Sequence, residues 1–235
     1  MKTFRCWIIG SIIAVVFCLL IPFQFGCSKK PLEAKEIRIG AILPLTGDGA
    51  LYGQMARKAI ELAVEEINAK KGTGEKKFSV VYEDSQLKPD LAVNAATKLI
   101  TVDKVLAIIG PMTSNEFIPV IPIAQKYKIP IISPSATSRE ITELGSYKFR
   151  TIVSDIYDGT AMARFAFDKM GFRKAAVFSV DEAGPHGVST AFMEEFKRLG
   201  GQIVAQEKGD RDGVDFRTQI TKIKAAEPDS VYFAG

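Results

Sequence analysis

Val105-Leu-Ala-Ile-Ile109, then Gly110-Pro-Met-Thr-Ser114, a helix-length run to Tyr127, and Ile129-Pro-Ile-Ile132 leading into Ser133-Pro-Ser-Ala-Thr-Ser138 form the stretch that decides the fold. Two short apolar runs rich in β-branched residues, separated by a segment of helical length, are the pattern of a βαβ unit. Such a unit is right-handed in nearly all cases, so both strands end on one edge of a parallel sheet. Ligands of open parallel sheets bind beyond that edge, where helix N-termini also point. Here the edge is furnished twice with Ser and Thr beside free backbone N–H groups. No His, Cys or paired acid stands there. The stretch is equipped to hold a polar small molecule and lacks the groups to transform one.

The rest of the chain fits a globular protein of one large or two small domains, with 235 residues, 47% hydrophobic and 25% charged. Lys and Arg number 31 against 27 Asp and Glu, a net charge of +4. Without residues 1–26, Lys2 and Arg5 are lost and the balance is 29 to 27, or +2. Basic residues are interleaved with acids rather than clustered, which argues against a nucleic-acid partner. Of Cys6, Cys18 and Cys27, the first two fall in the N-terminal apolar segment. A mature chain keeps at most one cysteine, so neither an intrachain disulfide nor a Cys-based metal site can be assembled.

Met1-Lys-Thr-Phe-Arg5 is a basic leader, and Trp7 to Phe23 is apolar and uncharged. That order predicts a secretory signal over residues 1–26. Gln24-Phe-Gly-Cys-Ser28 resembles the lipobox of bacterial lipoproteins, with Cys27 as the lipid-bearing residue. Gly26 suits the cleavage position, whereas Gln24 and Phe25 depart from the usual Leu and small residue. An uncleaved membrane anchor and plain secretion are the alternatives. All three put the folded part outside the cytoplasm. Residues 27–35, polar and containing Pro31, read as a tether.

From there the pattern alternates. A strand over Glu36 to Leu43 is followed by a glycine-rich loop and a helix to about Lys70, with Ala56, Ala59, Ile60, Ala63, Val64 and Ile67 on its inner face. Gly72 and Gly74 are expected to end that helix. A strand over Phe78 to Glu83 precedes a helix opened by Pro89, and the stretch quoted above supplies the third and fourth strands. After a short turn over Ile141 to Leu144 and an extended run over Tyr147 to Ile152, the alternation restarts. A helix is expected over Gly159 to Met170, a strand over Lys174 to Val180, a loop over Asp181 to Gly187 and a helix ending at Gly200-Gly201. A strand over Gln202 to Gln206, a helix over Asp215 to Ala226 and a strand over Ser230 to Phe233 complete it. Two rounds of β/α alternation predict two α/β lobes, residues 36–152 and 153–235, each a parallel sheet flanked by helices. Three strands are few for the second sheet, so that lobe is expected to be incomplete at the C-terminus.

Competing chemistries find little support. Gly47-Asp-Gly-Ala-Leu-Tyr-Gly53 misses the dinucleotide spacing by one residue, and glycines in a tight turn explain it. His186 is the lone histidine and reads as a solvated loop residue. There is no G-x-S-x-G elbow for serine hydrolysis and no ligand cluster for a metal. No cofactor is implied. Ser114, Thr137 and Ser138 could serve as helix caps alone. Their coincidence at adjacent strand ends, with Tyr52 on the loop after the first strand, favours a binding role.

These segments, in order, resemble the bacterial solute-binding proteins of branched-chain amino acid ABC transporters. The matching pieces are Ile39-Gly-Ala-Ile-Leu-Pro-Leu-Thr-Gly47, Tyr52-Gly53, Glu83-Asp-Ser85, Ile109 to Ser114, Ile132 to Thr137, Phe149-Arg-Thr151, Asp155 and Asp215-Phe216. The resemblance implies the type I periplasmic-binding-protein fold, two lobes that close on an amino acid of branched-chain or aliphatic type, and delivery to a membrane permease by a monomer. It assigns the ligand's carboxylate to Ser114 and Thr137, its ammonium to the carbonyl of Ser135 with Ala136 beside it, and its side chain to Tyr52. Two departures stand out. The family's Tyr-Gly pair falls on Gly184-Pro185, and its acid for the ammonium lies beyond Gly235. The ligand-sensing domain of a regulator uses the same fold, but the export signal counts against it.

Overall fold

The computed structural model describes residues 36–70 and 76–235. The signal, the tether, Cys27 and the expected helix-ending Gly72 and Gly74 lie outside the described residues. The strands are β1 (Glu36–Leu43), β2 (Lys77–Asp84), β3 (Ala107–Ile109), β4 (Ile131–Ser133), β5 (Lys148–Arg150), β6 (Lys174–Val180), β7 (Gln202–Gly209) and β8 (Ser230–Ala234). The helices are α1 (Ala50–Ala69), α2 (Pro89–Thr101), α3 (Ser114–Tyr127), α4 (Glu140–Glu143), α5 (Asp155–Arg164), α6 (Ala183–Arg198) and α7 (Arg217–Ala225). No helix among the described residues is long and apolar enough to cross a membrane.

The strands form two parallel sheets, ordered β2-β1-β3-β4-β5 and β7-β6-β8. This is the expected two-lobed α/β architecture. In the first sheet the chain leaves β1 outward to β2, then returns to β3 on the other side of β1. Successive crossovers therefore diverge between β1 and β3, which opens a crevice beyond their C-terminal ends. Leu99, Ile108, Phe117, Val120 and Ile131 are fully buried at the core of this lobe. The second lobe has a smaller core, in which Phe192 stacks on Phe196 and Tyr232.

Several elements depart from the sequence pattern for identifiable reasons. β3 and β4 are shorter than their apolar runs. Pro130 has no N–H for the ladder, and Ile129 donates instead to Ala124 O, 2.9 Å away, which closes the end of α3. The second-lobe helix expected from Gly159 starts four residues earlier at Asp155 and finishes in a π turn over Phe165–Lys169. α1 is helical as its periodicity requires, yet Gly53 is its only fully buried residue. It rests mainly on β1 and β2, so Ala56, Ile60 and Val64 are half covered while Ala59, Ala63 and Ile67 are exposed. Asp181 to Gly187 is not a loop: α6 begins at Ala183 and takes in Gly184, Pro185, His186 and Gly187. Proline is tolerated in a first turn, where its missing N–H needs no partner. His186 is exposed there, as expected, but on a helix.

α5 and α6 are tied by Glu195. Its carboxylate accepts from Arg198 Nε at 2.6 Å and Nη2 at 2.7 Å, and from Arg164 Nε at 2.7 Å. Arg198 first, and then Arg164, draw the carboxyl down from its ordinary 4.5 to about 2. A carboxyl depressed by folding stabilises the fold above its unfolded value and loses that contribution as pH falls through the folded one. The melting temperature is therefore expected to fall between pH 4.5 and 2 partly through this group. Calorimetry of Glu195→Gln should show a flatter dependence across that window; an unchanged slope would remove Glu195 from the account.

Candidate functional site

The crevice is walled by the loops that follow β1, β3 and β4. Asp84, the last residue of β2, organises the first of them. Its Oδ1 accepts from Leu45 N at 2.8 Å and Thr46 N at 3.3 Å, and its Oδ2 accepts from Thr46 Oγ1 at 2.5 Å. Burial raises the Asp84 carboxyl, but the Thr46 hydroxyl and the N–H groups of Gln86, Leu45 and Thr46 outweigh it and hold the group below its usual range. Gly53 lets α1 approach the carbonyl of Pro44, where any Cβ would collide. Together these contacts set Tyr52 at the mouth of the crevice, 67% exposed.

Serine hydroxyls stitch the other two loops together. Ser133 Oγ donates to Pro111 O at 2.6 Å and accepts from Ala136 N at 3.0 Å. Ser135 Oγ donates to Met112 O at 2.7 Å, and Ser114 Oγ accepts from Ser138 N at 3.1 Å. The Ser114 hydroxyl is thus used as an acceptor, which leaves its proton available to a ligand. The cap of α3 is Thr113 rather than Ser114. Thr113 N and Oγ1 donate to Glu116 Oε2 at 3.2 and 2.5 Å, as in a capping box. Glu116 is fully buried, and its Oε1 has no partner among the described residues.

Thr137 joins the two lobes. Its carbonyl accepts from Asp155 N at 3.0 Å and from Arg150 Nη1 at 2.9 Å. Asp155 is 3% exposed, and its Oδ2 lacks a partner among the described residues. Burial raises its carboxyl, against the pull of the Thr137 hydroxyl and the Arg150 charge. The first turn of α6 lies directly over this group. Ala183 N donates to Asn115 Oδ1 at 2.8 Å. A Cβ on Gly184 would stand 3.7 Å from Ser114 Oγ and 3.8 Å from Thr137 Oγ1, and one on Gly187 would strike the Asp155 carboxylate. The two glycines of the misread loop are what allow α6 this approach.

Beside this contact is a cavity of about 320 Å³, lined by Pro44, Tyr52, Leu87, Met112 and Ser135, with Arg211 on the side of the second lobe. Of the residues singled out from the sequence, Tyr52 and Ser135 line it. Ser114 and Thr137 are not in its lining and instead face Gly184, and Ala136 is fully buried in the first-lobe core. Sequence reasoning missed Leu87 and Arg211. Leu87 follows a strand end and has no motif, and Arg211 belongs to a charged turn that looks solvated. Asp155 was legible only as part of a matching segment. A larger cavity of about 510 Å³ lies against the second sheet, among Phe178, Phe216, Val231 and Phe233. Its walls are mostly apolar, with Asp210, Arg211 and Lys224 among them, and Arg211 borders both cavities. Among the described residues no group of three or more His, Cys, Asp or Glu could hold a metal.

Residues 36–235 match a family model described as periplasmic binding protein. An amino acid binding protein of Pseudomonas aeruginosa is 30% identical over 221 residues, 94% of this chain and 59% of that protein. The crystal structure of a branched-chain amino acid transporter substrate-binding protein from Streptococcus pneumoniae, in complex with isoleucine, is 32% identical with a TM-score of 0.73. The match covers 85% of this chain and 57% of that one. A solute-binding protein of an R. palustris ABC transporter, in complex with 4-hydroxybenzoate, is 27% identical with a TM-score of 0.76, over 85% of this chain and 54% of that one. The chain thus spans somewhat more than half the length of the relatives it matches.

Proposed function

The chain belongs to the periplasmic binding protein family, and from that premise we propose that it is an exported protein that captures an amino acid between its lobes and delivers it to the permease of an ABC transporter. The observation that carries this reading is the convergence of Ser114, Thr137 and Asp155 under the first turn of α6. In this reading Ser114 donates to the ligand's carboxylate, because a carboxylate leaving water needs its oxygens hydrogen-bonded. Thr137 joins it once the ligand's ammonium takes over the Asp155 carboxyl that its hydroxyl otherwise faces. The carbonyl of Ser135, beside Ala136, accepts from the ammonium, and Tyr52 flanks the side chain. Asp155 adds what the sequence resemblance placed beyond Gly235, an acid for the ammonium. Its buried Oδ2 has no partner among the described residues, and a cation beside it would relieve the burial that raises its carboxyl.

The lobes of this reading are residues 36–152 and 153–235, hinged between β5 and α5. A ligand that touches both lobes only when they are closed shifts that equilibrium. Residues 1–26 direct export, residues 27–35 tether the domain, and Cys27 carries a lipid, with the apolar segment as a retained anchor the other route to the membrane. The protein acts as a monomer.

A thermal-shift panel of amino acids, amides, urea and aromatic carboxylates tests the reading. A ligand at a hundred times its Kd stabilises by about 2.7 kcal/mol, a readable rise in melting temperature. At least one α-amino acid is expected to produce it. A response confined to aromatic carboxylates, or none at all, would reject amino-acid capture.

A further inference from the structure

We propose that Arg211 selects the ligand's far end, and that the ligand there carries an oxygen able to accept a hydrogen bond: a side-chain carboxamide, a carboxylate or a ring hydroxyl. This rests on the capture reading above and departs from the purely aliphatic side chain that the sequence resemblance implies. Arg211 lies just after β7 and reaches the cavity from the second lobe. Pro44, Leu87, Met112 and the ring of Tyr52 share that lining with the polar Asp48, Thr113 and Ser135, so part of the space suits an apolar body.

The guanidinium is held rigidly. Its Nε and Nη2 both donate to the carboxylate of Glu182, the residue before α6. The neighbouring Ala183 N is bonded across to Asn115 of the first lobe. Nη1 has no partner among the described residues, and it belongs to a planar fork already fixed on its other edge. The charge is also offset: Glu182, and more weakly Asp212 and Glu116, hold the group protonated. The wall is therefore a set of oriented N–H donors rather than a bare cation, and it asks for an acceptor, charged or neutral. An aliphatic ligand closing over it would strip water from those donors and return nothing. Sites built to hydrogen-bond a ligand group reject analogues that lack it.

Calorimetry on the full chain with L-leucine, L-asparagine, L-glutamine, L-glutamate and 4-hydroxybenzoate decides the matter. At least one oxygen-bearing amino acid is expected to bind tenfold or more tighter than L-leucine, whereas binding of 4-hydroxybenzoate alone rejects the capture reading itself. Arg211→Met, which keeps the apolar stem, should erase that advantage, with L-leucine binding at least as tightly as it does to the unmodified chain. Because Glu182 is left unpaired in that variant, the double variant Arg211→Met with Glu182→Gln is measured beside it, with thermal unfolding to confirm the fold. L-leucine binding as tightly as the oxygen-bearing ligands overturns the proposal, and so does an advantage that survives both variants. If none of the five binds the unmodified chain, capture itself falls and the selectivity with it.

Discussion

Replacing Phe117 with alanine is expected to lower the free energy of unfolding by about 3–5 kcal/mol, the usual cost of deleting a buried aromatic ring. Phe117 is 0% exposed on the first turn of α3 and belongs to the cluster that includes Leu99, Ile108 and Ile131. Neighbours fixed in two strands and another helix cannot collapse into the space, so both the lost transfer energy and a residual cavity count against the variant. Pro119 and Pro122 follow within the same helix and already remove two backbone donors from it. α3 is therefore held chiefly by packing. Urea denaturation checks the prediction. A loss below 1 kcal/mol would mean that the first lobe is not centred on this ring.

The second large effect is on binding. Thr137→Ala is expected to weaken amino-acid affinity at least tenfold while leaving the protein folded. One hydrogen bond to a charged group contributes about 1.5–3 kcal/mol, which is ten- to about a hundredfold in affinity. The fold survives because Thr137 ties the lobes through its carbonyl, which accepts from Asp155 N and Arg150 Nη1 and is kept in alanine. Calorimetry that finds unchanged affinity would take Thr137 out of the site. An unfolded variant would show that its hydroxyl has a structural role alongside Asp155.

Much of the first lobe was legible because its elements are short and strongly patterned. β1 and α3 fall where the apolar run and the helix-length segment put them, and α2 opens at Pro89 as expected. Errors arose where local chemistry has two outcomes. Gly184-Pro185-His186-Gly187 carries every mark of a loop, yet the same residues permit a helix start where small side chains must pass under a neighbouring lobe. The partial burial of α1 was out of reach for a related reason: periodicity identifies an apolar face but does not say what covers it. At the site, hydroxyls at strand ends could be anticipated from the sheet's polarity. Arg211 could not, since nothing within β7 or its turn reveals that the guanidinium reaches a wall built from residues near Tyr52.

The order β2-β1-β3-β4-β5 has a bearing on how the chain acquires its activity. Ile39 pairs with Ala107 across two helices and a strand, and the crevice exists only once that pairing is made. Closing so long a loop is slow relative to forming any of the helices. The serine stitches between the loops after β3 and β4 depend on it in turn, as does the seat of α6 above them. The site proposed above is consequently absent until those distant contacts are in place. A ligand of that site would stabilise only the finished arrangement.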